Sequence, residues 1–85
     1  GQVFIAPLKT GSGMRIKILN AMAMRKPVIS TSTAREGIDV SDNRDIVIAD
    51  EPEKFAEETI DLLENEKKRN KIAEAGLELV RENYR

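Results

Sequence analysis

The sequence contains no cysteine and no histidine. Their absence removes disulfides, thiolate nucleophiles, Cys/His metal sites and imidazole acid/base catalysis together. An enzyme built from these residues alone has few chemical tools. Charge of one sign is also lacking: 14 Lys and Arg stand against 15 Asp and Glu, so no net field draws the chain to nucleic acid or to an anionic surface. Any anion has to be held locally. No apolar run approaches the ~20 residues of a membrane span, and no charged start followed by an apolar stretch marks a signal peptide. This reads as a soluble, cytoplasmic chain, with any membrane association carried by regions outside it.

What is present is ordinary for a globular domain: 40% apolar and 34% charged residues in 85, enough for one core and not for two. The sequence lacks an initiating Met and enters the apolar run Val3-Phe4-Ile5-Ala6 at once, an opening that reads as a cut through a larger protein.

Gln2 to Pro7 is a continuous apolar segment, expected to form a strand buried on both faces. The small-residue loop Leu8 to Gly13 follows, and Met14 to Met24 predicts a helix with Ser12 as N-cap. At 3.6 residues per turn Ile18, Leu19 and Met22 share one face, and Lys17 and Asn20 another. Met14, Met22 and Met24 read first as packing residues. Pro27 to Ser30 is a second strand, STSTAREG (Ser30 to Gly37) a polar loop, and Asp45 to Ala49 a third strand after the turn-rich Asp42-Asn43-Arg44.

Asp50 or Glu51 is expected to cap the next helix, with Pro52 in the first turn and Glu53 placed for a capping box. Its inner stripe reads Phe55, Ala56, Thr59, Ile60 and Leu63. Asn65 caps a last helix whose Ile72, Gly76, Leu79, Val80 and Tyr84 recur at helical steps. The fold class is therefore α/β: a partial, Rossmann-like parallel three-stranded sheet with flanking helices, ordered strand-helix-strand-strand-helix-helix. A doubly wound nucleotide-binding domain has about six strands, so the missing ones are expected upstream.

Lys9 to Lys17, KTGSGMRIK, places small residues directly between a buried strand and a helix start. Unpaired N–H groups and the helix dipole favour a phosphate there, and glycines let it come close. The same Gly11-Ser12-Gly13 also reads as a plain strand-to-helix turn. It matches neither G-x-x-x-x-G-K-[ST] nor G-x-G-x-x-G, because Ile16 stands where the third Gly of the latter would be. Arg15 and Lys17 can pair with phosphates or stay solvated.

The longer string PLKTGSGMRIKILNAMAMRKP (Pro7 to Pro27), followed by Val28-Ile29-Ser30-Thr31-Ser32, resembles the group 1 glycosyltransferases of GT-B fold. Their common pattern is P-L-x-x-G-S-G-x-R-x-K-x-L-E-A-M-A-M-G-K-P-V-V-S-T-S. Glu36-Gly37, DIVIADEPEKFA (Asp45 to Ala56) and the closing helices extend the likeness over essentially the whole chain. The resemblance implies that residues 1–85 are the C-terminal part of a GT-B donor-binding domain, with upstream strands and an N-terminal domain absent.

It further implies the donor-site portion of a retaining glycosyltransferase, which moves a sugar from a nucleotide diphosphate sugar to an acceptor hydroxyl. No metal and no cofactor is implied, the nucleotide sugar being the donor substrate. Gly11, Ser12, Gly13, Met14, Arg15 and Lys17 are the implied diphosphate and sugar site, and Asn20 the implied ribose contact; the catalytic groups stay unassigned. The implied partners are the donor and the N-terminal domain, with no nucleic acid.

The chain departs from the pattern at two places. Asn20 replaces the Glu that bonds the ribose, keeping hydrogen-bonding capacity and losing the charge. It also reads as a solvent-facing helix residue, and it is the best support for the alternative, a non-catalytic α/β binding or interaction module. Arg25 replaces the Gly that ends the helix, which costs on the order of 1 kcal/mol if the left-handed geometry is kept; otherwise the helix ends differently. Finally, Gln2 to Pro7 resembles the family's fourth strand, which lies between two others. With one neighbour missing, this edge is expected to make the fragment self-associate.

Overall fold

The computed structural model describes residues 3–6, 14–32, 40, 42 and 44–83, and of Met14 and Arg15 the backbone alone. Strand β1 (Phe4–Ala6) leads to helix α1 (Met14–Ala23) and strand β2 (Val28–Ser30), then strand β3 (Val47–Ile48), helix α2 (Pro52–Glu64) and helix α3 (Glu66–Asn83). The strands run parallel in the order β1-β2-β3. Phe4 stands opposite Val28 and Ala6 opposite Ser30, while Ile29 pairs with Val47 and Ser30 with Ile48.

Successive side chains of a strand point to opposite faces, and here the alternation sorts two clusters. Val28 joins Ala6, Ile18, Met22, Ile46 and Val80 on the α1 face. Ile29 joins Val47, Leu62 and Ile72 on the α2 face, with Val3 and Phe55 packed against them. Val28, Ile29 and Ser30 are all at 0% exposure, as a central parallel strand requires. Helix α3 supplies Ile72 to one cluster and Val80 to the other, and so ties the two faces together.

Both outer strands depart from the sequence reading. Ile5 is 46% exposed, so β1 is not buried on both faces: α1 covers its Phe4 and Ala6 side, and α2 reaches the sheet at Ile29 and Val47, short of Ile5. At the other edge, Ala49 donates its N–H to Ser30 O at 2.9 Å, so the Ile48 N–H points away from β2. The Asp42 carboxylate accepts that N–H at 2.8 Å, and a side chain thereby closes the outer edge of β3 where a strand would otherwise pair.

Helix α1 buries Ile18, Ala21 and Met22 and half-buries Leu19, leaving Lys17 and Asn20 exposed as expected. Met24 is 64% exposed and not a packing residue, because it lies past the last turn of α1, where the chain swings away. Arg25 has φ 61°. Its N–H donates to Met22 O and the Lys26 N–H to Ala21 O, each at 2.9 Å, which is a Schellman ending with Arg in the place of Gly. The left-handed geometry is thus kept, and Arg25 Nε reaches Glu74 Oε2 on α3 at 3.1 Å.

Helix α2 starts after Glu51, which occupies the cap position without a side-chain cap bond, with Pro52 at the first position and Glu53 in the first turn. No capping box forms. Its buried stripe is also turned from the expected one: Leu62 is buried and Phe55, Glu58 and Thr59 are half-buried, whereas Ala56 is exposed and Ile60 and Leu63 are each 54% exposed. Its apolar residues form one broad arc running from Leu62 through Phe55 and Leu63 to Ile60, and the placement of Leu62 against Ile29 and Val47 sets which part of that arc meets the sheet.

The joint between α2 and α3 is built from side chains. Asn65 Oδ1 accepts the Lys68 N–H at 3.0 Å, the expected cap of α3. Arg69 Nη1 donates to Leu62 O at 3.0 Å and Leu63 O at 2.7 Å, satisfying carbonyls left over at the end of α2. Lys68 Nζ meets Asp61 Oδ2 at 2.7 Å and Glu58 Oε1 at 3.5 Å. The bond to Asp61 raises the Lys68 pKa above its ordinary 10.5 against the opposing effect of burial. Because the folded pKa is the higher one, the stabilisation is complete below pH 10.5 and is lost as the pH climbs through the raised value.

Gly76 lets α3 come close to its neighbours: a Cβ there would lie 3.3 Å from both Met22 Cγ and Asp45 O. The buried Ile72, Gly76 and Val80 bear out the expected face of α3, with Leu79 half-buried, Ala73 buried as well, and Tyr84 outside the described residues. Among the described residues no helix is long and apolar enough to cross a membrane.

Two stability measurements check this account. Arg25→Gly removes a left-handed strain of about 1–2 kcal/mol and an exposed ion pair of about 0.2–1 kcal/mol, so urea unfolding should show unchanged or higher stability. Arg25→Ala keeps the strain, loses the pair and should be less stable than the parent. Gly76→Leu should cost about 1–3 kcal/mol by overpacking against the Asp45 carbonyl, whereas Lys71→Ala on the exposed side of α3 should stay within about 0.5 kcal/mol.

Candidate functional site at the carboxyl edge of the sheet

In the β1-α1-β2 crossover the two strands are parallel, so α1 runs back against them and its first turn comes to the edge where the strands end. Open α/β sheets bind ligands at that edge. Gly11, Ser12 and Gly13 lie outside the described residues; Met14 and Arg15 are the first two residues of α1. The first-turn N–H groups of a helix have no acceptor within it, and the Gly-Ser-Gly segment leads directly into this turn.

Lys17 and Asn20 are exposed on α1 one turn apart, while Ile18, Ala21 and Met22 of the same helix are buried. Packing therefore makes no use of either side chain. Asn20 contributes its carbonyl to the helix by accepting the Met24 N–H at 3.0 Å. The structure brings Lys17 and Asn20 onto one exposed surface of the helix that begins at Met14.

Beside this helix start, the ends of β2 and β3 are joined by polar groups. The buried Ser30 donates its hydroxyl to Thr31 O at 2.6 Å, and Thr31 is itself 3% exposed. One residue on, the Asp50 carboxylate accepts two hydrogen bonds from Ser32, from the N–H to Oδ1 and from the hydroxyl to Oδ2, both at 2.8 Å.

Of the two caps the sequence offers, Glu51 takes the cap position of α2, and the Asp50 carboxylate bonds the neighbouring strand's exit at Ser32. The signal available was an Asp at a strand end beside a Ser/Thr-rich strand exit. The remaining loop residues, Glu36 and Gly37 among them, lie outside the described residues. A hollow of about 450 Å³ lined by Arg44, Asp45, Glu78 and Glu82 lies at the opposite end of the sheet, before β3, away from these groups.

Residues 1–65 match the family of glycosyl transferases group 1. The chain is 33% identical over 82 residues to an uncharacterized 44.6 kDa protein in the cps region of Klebsiella pneumoniae, covering 96% of this chain and 21% of that protein. It superposes with a TM-score of 0.82 and 27% identity on the crystal structure of the C-terminal domain of a glycosyl transferase group 1 family protein (LpcC) from Francisella tularensis. That match covers 98% of this chain and 43% of the other. The chain thus spans about a fifth of the curated relative and less than half of the solved domain. The sheet order, the crossover and the helices agree with a Rossmann-like part of a GT-B C-terminal domain. On this sequence match and this architecture, the chain belongs to the group 1 glycosyl transferases.

Proposed function

We propose that this chain is the donor-site portion of a retaining glycosyltransferase, which transfers a sugar from a nucleotide diphosphate sugar to an acceptor hydroxyl. The observation that carries the reading is the parallel β1-α1-β2 crossover, whose helix start follows Gly-Ser-Gly at the carboxyl edge of the sheet. In this reading the N–H groups of Gly11 to Met14 receive the diphosphate, Arg15 and Lys17 add positive charge, and Asn20 bonds the ribose. Fixed donors of this kind stabilise the nucleoside diphosphate as it departs. Residues 1–85 are read as the C-terminal part of a GT-B donor-binding domain within a larger protein, whose other parts complete that domain and supply an N-terminal domain, the acceptor site and catalytic groups. By itself it is then inactive.

Asn20 favours a second reading, a binding module of the same fold that no longer turns over, since the charge of the family's Glu is gone. Amide NMR on adding UDP or GDP should move Gly11 to Met14 most; shifts confined to residues 66 to 84 would sink the site. Asn20→Glu in the full-length protein should preserve or raise donor affinity, and a loss with the fold intact would remove Asn20 from the ribose contact. The module reading instead expects nucleotide binding without sugar transfer.

We also infer that the outer edge of β1, a terminal strand of the described sheet that pairs with β2, draws separate copies of this chain together. Sedimentation over a concentration series should show assembly, and a strictly monomeric species at high concentration would refute it.

A further inference from the structure

We propose that Asp50 is a positioning residue of the donor site: through Ser32 it fixes the path by which the backbone leaves β2. The proposal rests on the functional reading above. Ser30 pairs with Ile48 in the parallel register, and Ser32 and Asp50 lie two residues further along each strand, at the next position of the same register. The last backbone rung joins Ala49 N–H to Ser30 O. Beyond it the Asp50 carboxylate carries the connection on, taking both the N–H and the hydroxyl of Ser32 at 2.8 Å.

The arrangement is separate from the cap position of α2. Glu51 already holds the cap position, and the Phe55 N–H already bonds Glu51 O at 2.8 Å. Burial does not explain it, since Asp50 is exposed and Ser32 half-buried, and water competes for both bonds. Their effect is geometric. Two bonds from one carboxylate fix both the position and the orientation of Ser32, at the end of the sheet where ligands bind. Ordering that exit in advance lowers the entropy lost when a ligand docks there.

The test measures affinity for UDP and GDP by calorimetry in the full-length protein, together with thermal unfolding. Asp50→Ala should weaken binding about 5- to 20-fold with an unchanged midpoint, the range expected for lost preorganisation rather than lost contacts. Ser32→Ala, which keeps the N–H bond, should weaken it less. The double variant should match Asp50→Ala, because the two residues act as one unit. Asp50→Asn should restore most of the affinity, since its amide oxygen still accepts the N–H and the hydroxyl can turn to accept.

Unchanged affinity in Asp50→Ala, or a weakening that follows a drop in the unfolding midpoint, overturns the positioning role while leaving the donor site in place. A wild-type protein that binds neither nucleotide overturns the donor-site reading and this one with it.

Discussion

The enclosure of β2 is the constraint on which the rest of the molecule depends. A strand with Val28, Ile29 and Ser30 at 0% exposure has to satisfy its backbone on both edges and its side chains on both faces, since an unpaired polar group in that position costs about 1–3 kcal/mol. Parallel neighbours β1 and β3 meet the first demand. Helices on either face meet the second, because a parallel connection needs a crossover long enough to hold one. From that requirement comes the direction of α1, and from the direction of α1 comes the position of its first turn at the carboxyl edge.

The elements were legible in the sequence wherever local pattern and tertiary need agree. The apolar runs at Val3 to Ala6, Val28 to Ser30 and Ile46 to Ile48, the caps at Glu51 and Asn65 and the buried face of α1 all follow from spacing. The rotation of α2 was not legible. Its apolar residues form a broad arc with Leu62 and Ile60 at the two ends, so periodicity alone could not choose which part of the arc meets the sheet, and contact with Ile29 and Val47 settled it. Ile5 misled for a related reason: an apolar strand looks the same in sequence whether its outer face is covered or open.

At the site, the sequence marked the helix start with Lys17 and Asn20 and missed the Ser32–Asp50 pair. These residues are 18 positions apart, and only the register of β2 against β3 brings them together. Arg25 shows the converse. Its departure from glycine is visible in the sequence, but whether the backbone would keep its left-handed turn depended on the bonds from Arg25 to Met22 and Lys26 to Ala21. The turn is kept at the expense of strain, partly offset across the α1–α3 interface at Glu74.

The close seat of Gly76 bears on how the molecule can move. Helices commonly accommodate a ligand by shear, sliding past one another in small steps. At Gly76 a notional methyl would have only 3.3 Å to Met22 Cγ and to the Asp45 carbonyl oxygen, so the bare Cα is what lets α3 sit this close to α1. Further back, Arg69 holds the first turn of α3 to the end of α2. Motion that parts α3 from α1 or from the end of α2 therefore has to give up one of these contacts.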